Sequence, residues 1–385
     1  MSLLESLSLQ TIPPEDEALR QDVREFLQTT IGNMPAAERA KTWSGYSREF
    51  SLAMGKQGLI GITLPKQYGG AGKSAFARFV VLEECLSIGA PVGSHWIADR
   101  QSAPLILRYG TEAQKQAYVP GICRGELGFC IGMSEPNSGS DLASIRSNAR
   151  RNDNGWLLNG QKIWTTFADK CEYMIALVRT SGTPEDRRQG LSQFVIDLSL
   201  PGITIRPITD LSGDANFSEV FFDNVQLSLD ALIGQEGQGW EQVTAELAFE
   251  RSGPERLLSS IVLFDEWRKF IDSTQGDSAA SHQIAGEVLA KLTPLRAMSV
   301  ALTEKLSRGE SPVIEAALVK ELGTTLEQQI PTLIADDLYR RPPQEVPVEL
   351  LRTLDLLIRI SPSFSLRGGT RDILRGMIAR GLGLR

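Results

Sequence analysis

The chain of 385 residues contains only two histidines, His95 and His282, and four cysteines, Cys85, Cys123, Cys130 and Cys171. The cysteines lack paired metal-ligand spacing, histidine-based triads have almost no candidates, and no metal site is expected. So few cysteines in so long a chain also fit a reducing compartment. Basic charge is short as well: 40 Lys and Arg stand against 47 Asp and Glu, for a net charge of -7. No overall positive field exists to hold a phosphate backbone, so nucleic acid is not an expected partner. No run approaches the ~18 apolar residues that span a bilayer, so no membrane partner is expected. The opening "MSLLESLSLQTIPPEDEALRQ" lacks the basic, apolar, small-residue progression of a secretory signal, and the expected location is cytoplasmic.

What is present is ordinary for a globular protein, with 42% hydrophobic and 23% charged residues. The length favours two or three domains of roughly 100 to 200 residues. Apolar residues at three and four spacing in "DEALRQDVREFLQTT" and "FARFVVLEECLSIGA" predict an α-helical domain over 1–127, broken by the turn signal "LPKQYGGAG". From Phe129 the pattern changes to short β-branched and aromatic runs, which predict a small antiparallel barrel or sandwich over 128–232. Its sharpest turn signal is Asn159-Gly160, the favoured dipeptide of a tight hairpin, in "GWLLNGQKIWTT". Helical periodicity then returns and predicts a C-terminal bundle over 233–385. The expected class is α+β, helices then strands then helices.

Two stretches carry candidate chemistry. "GFCIGMSEPNSGSDLASIRSNA" joins an apolar strand to a loop whose small residues admit close backbone approach and whose Ser134, Ser138 and Ser140 can donate to phosphate or ring oxygens. A polar turn between two strands is the plain alternative. In "VTAELAFERSGPER", Val243, Leu247 and Glu250 share one helix face, which puts a carboxylate on an apolar stripe. Desolvation there raises a carboxyl pKa toward the range useful to a general base, while pairing with Arg251 or Arg256 is the structural alternative.

"MSEPNSGSD", "QKIWTT", "LPKQYGGAG", "YGTEAQKQAYVPGICRGE" and "GQEGQGW" occur in the order and spacing seen in the flavin-dependent acyl-CoA dehydrogenases, and the chain resembles that family over roughly residues 15 to 260. The resemblance implies bound FAD, an acyl-CoA substrate, an electron-transferring flavoprotein or similar acceptor, and a homo- or hetero-oligomer, dimeric or tetrameric. Carried over by position, Ile131, Met133, Ser134, Gly139 and Ser140 lie in the stretch that wraps the isoalloxazine, with Ser134 bonded to the ring and Ser140 also touching the CoA arm. Trp164 covers a flavin face, with Thr165 beside it and Thr166 toward the reactive N5.

In the family a glutamate removes the α-proton of the thioester while the β-hydrogen leaves as hydride to N5. That glutamate comes either from a position just before Gly-Thr near the C-terminus or from the helix that opens the third domain. Here the first position, in "SLRGGTRDILRGMIAR", is Gly368, and the second falls on Glu250. The resemblance therefore implies Glu250 as base, with Phe249 and Arg251 beside the substrate and the Gly368 N–H as a donor to the thioester oxygen. Gly369 would also lie at the substrate, with Thr370, Arg371 and Asp372 near the cofactor. Gly253-Pro254 predicts a break just past the base, one that would tilt Glu250 toward the flavin.

Two family landmarks are missing: an Arg-x-x-Phe-Gly stretch near "FIDSTQGDSAASHQ" and a Gln-x-x-Gly-Gly stretch in "LRTLDLLIRISPSFSLRGGT". In the family these contact the ADP half of FAD. Their loss leaves open a heteromer completed by a related chain, a non-catalytic subunit, or looser FAD binding. Arg367, Arg371 and Arg375, at steps of four, predict one basic helical stripe, solvated or docking a partner or CoA phosphates. An oxidase-like or nitroalkane oxidase-like flavoenzyme is the alternative within enzymes, and a steroid side chain is among the bulky acyl groups that helix-borne bases serve.

Overall fold

The computed structural model describes residues 7–250, 253–273 and 279–384, apart from the side chains of 245–250. Helices occupy the chain through Cys123, strands run from Phe129 to Ile233, and helices return from Gly239. The chain divides into two compact units that do not follow chain order: Met1–Gly45, Lys73–Val92 and Ala248–Arg385 form one, and Tyr46–Gly72 and Gly93–Leu247 form the other.

In the first unit the helix Ala75–Ile88 is buried along most of its length. Ser74 caps its N-terminus by accepting the Ala77 N–H at 2.9 Å. Its apolar residues Phe76 and Phe79 meet Val300 of the long helix Ala279–Ser307. Its two central acids are paired, Glu83 with Arg296 at 2.6 Å and Glu84 with Arg24 at 2.6 Å, so charged residues at these buried positions keep their partners.

The second unit is organised by one sheet of eight strands: β1 (Phe129–Gly132), β2 (Asn148–Asn152), β3 (Gly155–Thr166), β4 (Tyr173–Arg179), β5 (Leu191–Asp197), β6 (Ile203–Ile208), β7 (Phe217–Leu227) and β8 (Leu232–Ile233). The order is β6-β7-β3-β2-β4-β5-β8, with β1 also on β4. Trp156, Leu158, Phe194, Ile196, Val220 and Phe222 form part of its core. Most of its pairings are antiparallel, as expected, but the sheet is mixed, because β1 and β2 both pair with β4 in parallel. They are consecutive pieces of one strand line: Gly132 lies opposite Ala176, the chain departs through 133–147, and it rejoins at Asn148 opposite Arg179.

The hairpin expected at Asn159-Gly160 is corrected. Strand β3 runs unbroken through both residues, and the β2–β3 turn lies earlier, between Asn152 and Gly155. Asn159-Gly160 is instead an irregularity in the pairing with β7. Gly160 has φ +143°, and a Cβ there would lie 2.3 Å from Ser147 Oγ. The glycine serves a close approach within a strand rather than a turn. Gly160→Ala is therefore expected to destabilise the protein by about 1–3 kcal/mol, measured by urea unfolding.

His95 is buried in the same unit, with Nδ1 2.8 Å from Ser51 Oγ. Burial, partly opposed by Asp99, pushes its pKa down to about 4 from 6.5. As pH falls below 6.5 the unfolded chain takes up a proton that the folded chain refuses until about pH 4, so stability drops through that window. Between pH 7 and pH 5 the loss is expected to be about 2 kcal/mol. His95→Gln should remove that part of the pH slope in urea unfolding.

Candidate active site

The excursion 133–147 is held by its own polar groups. Glu135 and Ser138 exchange backbone hydrogen bonds at 2.9 Å in each direction, and Ser138 Oγ donates to the Asp141 carbonyl at 2.6 Å. Ser138 is therefore buried and spent on the loop, which corrects its reading as a ligand donor. Ser134 is half-buried and its carbonyl accepts the Ile163 N–H at 3.0 Å; Ser140 and Gly139 are exposed, while Ile131 and Met133 are half-buried. A Cβ at Gly139 would meet nothing within 4 Å, so the chain itself gives that position no steric need for glycine. Asp141 pairs with Arg187, whose Nη1 lies 3.0 Å from Oδ2.

At the end of β3 a second irregularity, between Lys162 and Thr165, lifts Trp164 out of the sheet. Trp164 has φ +60° and is 58% exposed. Its ring meets Phe217 edge to face, at 6.2 Å between ring centres. A bulky residue in the left-handed region and largely in solvent costs stability with no return from the core, a mark of a functional surface. Thr166 is half-buried. Thr165 points into the protein, fully buried, with Oγ1 unpartnered. Its side chain therefore presents no surface beside Trp164.

Sequence patterning missed Lys162 and Glu135. Lys162 is fully buried, and its Nζ donates to Glu135 Oε1 at 2.9 Å and to the Met133 carbonyl at 3.0 Å. The signal was present as a charged residue inside "QKIWTT" and another inside "MSEPNSGSD", yet nothing local tells that the two meet.

The helix Gly239–Glu250 crosses from one unit to the other at Leu247-Ala248, and beyond it Gly253 is extended and a 3-10 turn begins at Pro254. The expected break near Gly253-Pro254 is present, as proline at the head of the turn favours. The side chains of Phe249 and Glu250, and all of Arg251, lie outside the described residues. Gly368 and Gly369 have φ +65° and +100°. A Cβ at Gly368 would lie 3.0 Å from Arg256 Nη2 and from Lys320 Cε, and Lys320 Nζ donates to the Gly369 carbonyl at 3.0 Å. Thr370 precedes the helix Arg371–Gly381 without capping it by its side chain, and Asp372 is exposed.

The arginine stripe is not one solvated face. Arg367 Nη2 turns inward to Glu327 Oε2 at 3.0 Å and Ser259 Oγ at 2.6 Å. Arg371 and Arg375 both donate to Glu321 Oε1, each through Nε, at 3.0 and 2.9 Å. The stripe is folded onto acids of the helix Val313–Tyr339, which neutralises most of its charge. Among the described residues no cluster of His, Cys, Asp or Glu could hold a metal ion, and no helix is long and apolar enough to cross a membrane.

Comparison with known proteins shows the family. The acyl-CoA dehydrogenase N-terminal domain matches residues 13–126 and the middle domain residues 130–225, together more than half of the chain. Acyl-CoA dehydrogenase IpdE1 of Mycobacterium tuberculosis is 30% identical over 381 residues, which cover 96% of this chain and 97% of that protein. Acyl-CoA dehydrogenase FadE26 of the same organism is 30% identical over 403 residues, with 96% and 97% covered. Among solved structures, the Tcur3481-Tcur3483 steroid ACAD superposes with a TM-score of 0.85 at 25% identity, covering 98% of this chain and all of that one. The ChsE4-ChsE5 complex from Mycobacterium tuberculosis gives 0.83 at 29% identity, covering 97% and 99%. The chain belongs to the acyl-CoA dehydrogenase family.

Proposed function

We propose that this chain catalyses the FAD-dependent α,β-dehydrogenation of an acyl-CoA thioester to the 2-enoyl-CoA, with Glu250 taking the α-proton. The observation that carries the reading is Trp164, a large aromatic held in an unfavourable backbone conformation and left exposed. Such a residue suits a planar ring system, and the open space over Gly139 suits close approach to the same ligand. FAD, when bound, supplies the hydride acceptor. The chain supplies the rest: Ile131, Met133, Ser134, Gly139, Ser140, Trp164 and Thr166 hold the ring, and Ser140 also meets the CoA arm. The Gly368 N–H polarises the thioester carbonyl, Gly369 borders the substrate with Phe249 and Arg251, and Thr370, Arg371 and Asp372 lie toward the cofactor. Gly368 has no side chain to act as base, which leaves Glu250 in that role.

The relatives favour a bulky acyl group, steroid side chains included, because a neighbouring solved structure is a steroid enzyme. Purified protein should be yellow, and a panel of acyl-CoAs under anaerobic conditions should bleach it, bulky thioesters fastest. Oxygen consumption during turnover would identify an oxidase; its absence would fit an electron-transferring flavoprotein as acceptor.

A second reading, a subunit that works only with a related partner chain, draws on the missing landmarks and on the two-component ChsE4-ChsE5 neighbour. Val348, Leu351 and Ile358 are exposed apolar residues along one helix, as a subunit contact would require. A colourless chain that gains flavin only with a second, related chain present would support it.

A further inference from the structure

We propose that Glu135 and Lys162 are positioning residues for the flavin: their buried pair fixes both ends of the excursion 133–147 before any cofactor binds and ties it to the strand that carries Trp164. This rests on the flavin-binding reading above.

The bonds of the pair do not run into the core. Lys162 Nζ grips the departure of the excursion through the Met133 carbonyl at 3.0 Å. Glu135 grips its return, with Oε2 accepting the Arg146 N–H at 2.7 Å and Oε1 accepting the Ser147 N–H at 3.0 Å. The ion pair itself, at 2.9 Å, joins the two grips. One residue further along each segment, the Ile163 N–H donates to the Ser134 carbonyl at 3.0 Å. Ser134 and Trp164, assigned to the ring, are thus each next in sequence to a residue of this network.

The surroundings are shaped for the lysine stem. A Cβ on Gly132 would lie 2.6 Å from Met174 Sδ and 3.3 Å from Lys162 Cγ, so the bare backbone at the end of β1 leaves room for both side chains. Burial opposes the charge on both partners. It holds the Lys162 pKa below that of an ordinary lysine, although Glu135 resists the shift. For Glu135, Lys162 and the backbone donors outweigh burial and keep the carboxyl below its ordinary value. A buried ion pair is a poor way to gain stability compared with apolar side chains of the same size. Its return here is a defined backbone, the preorganisation that lowers the cost of binding.

The test compares the wild type with Glu135→Leu/Lys162→Met, which removes both charges together and leaves neither stranded. Apo-protein melting and titration with FAD are measured separately. The double variant also leaves the Arg146 and Ser147 N–H groups without their acceptor, so it is expected to melt several degrees below the wild type; when still folded it should bind FAD roughly 10- to 100-fold more weakly, the usual cost of losing an outer-shell partner, with an altered visible flavin spectrum. Wild-type affinity and an unchanged spectrum in the double variant would overturn the proposal. Should the variant not fold, hydrogen exchange on the wild type decides: the amides of Arg146 and Ser147 are expected to be protected already in the apo-protein. Free exchange that slows only after FAD is added would overturn it. Wild type that takes up no FAD, alone or with a partner chain, would bring down the flavin reading and this inference together; normal binding by both proteins would remove only the inference.

Discussion

Glu250→Gln should retain its flavin and lose reduction by acyl-CoA by about 10²- to 10⁴-fold, the usual share of a general base. The substitution keeps side-chain volume and hydrogen-bonding capacity, so binding of cofactor and thioester should persist while proton removal fails. The other position from which the family draws its base is Gly368, packed beside Arg256 and Lys320 and without a side chain. Stopped-flow bleaching under anaerobic conditions, with an acyl-CoA that reduces the wild type, measures the effect. A variant that bleaches at the normal rate would place the base elsewhere. Moving the carboxylate back, as Glu250→Gln/Gly368→Glu, should not restore activity, because a side chain at 368 would have to adopt φ +65° and press on Arg256 and Lys320, each 3.0 Å from a Cβ there.

Glu327→Leu should cost about 3–5 kcal/mol, because it strands a buried cation. Glu327 is fully buried; Oε1 accepts the Ser259 N–H at 2.8 Å and Oε2 accepts Arg367 Nη2 at 3.0 Å. Arg367 lies between the rings of Trp43 and Phe364, with its guanidinium carbon 4.4 Å from each centre. Burial pushes the Arg367 pKa down to about 10, and Glu327 is the main influence that resists it. Without the carboxylate, Glu255 still favours the charge but more weakly, and Arg256 opposes it. Arg367 directly precedes Gly368, so the loss should also loosen the segment assigned to the thioester. Urea unfolding followed by tryptophan fluorescence measures the stability, and Glu327→Leu/Arg367→Met should recover most of it. A double variant as unstable as the single would show that the charge was not the cause.

Much of the fold was legible because its signals are local. The periodicity of "FARFVVLEECLSIGA" marks a buried helix without help from elsewhere, and motif order alone placed the family. What sequence misread depended on remote partners. Asn159-Gly160 has the chemistry of a tight turn, but its glycine answers to Ser147 lying against it. Arg371 and Arg375 form a regular basic stripe in sequence, and only the fold brings Glu321 beneath them. Lys162 was inconspicuous because a lysine on a strand is ordinarily solvated, and its burial needs Glu135 and the bare backbone of Gly132.

The interrupted strand has a consequence for how this protein can change. Along β4 only Leu177 and Val178 separate the partner of Gly132 from the partner of Asn148, while the opposite line spends all of 133–147 between the same two anchor points. The sheet therefore does not measure the length of that segment. Residues can be gained or lost between Pro136 and Ile145 without moving any strand by a step, and longer loops add closure cost only slowly. Ligand preference can drift there while the scaffold stays in register, as in a tool whose bit is exchanged and whose handle is kept.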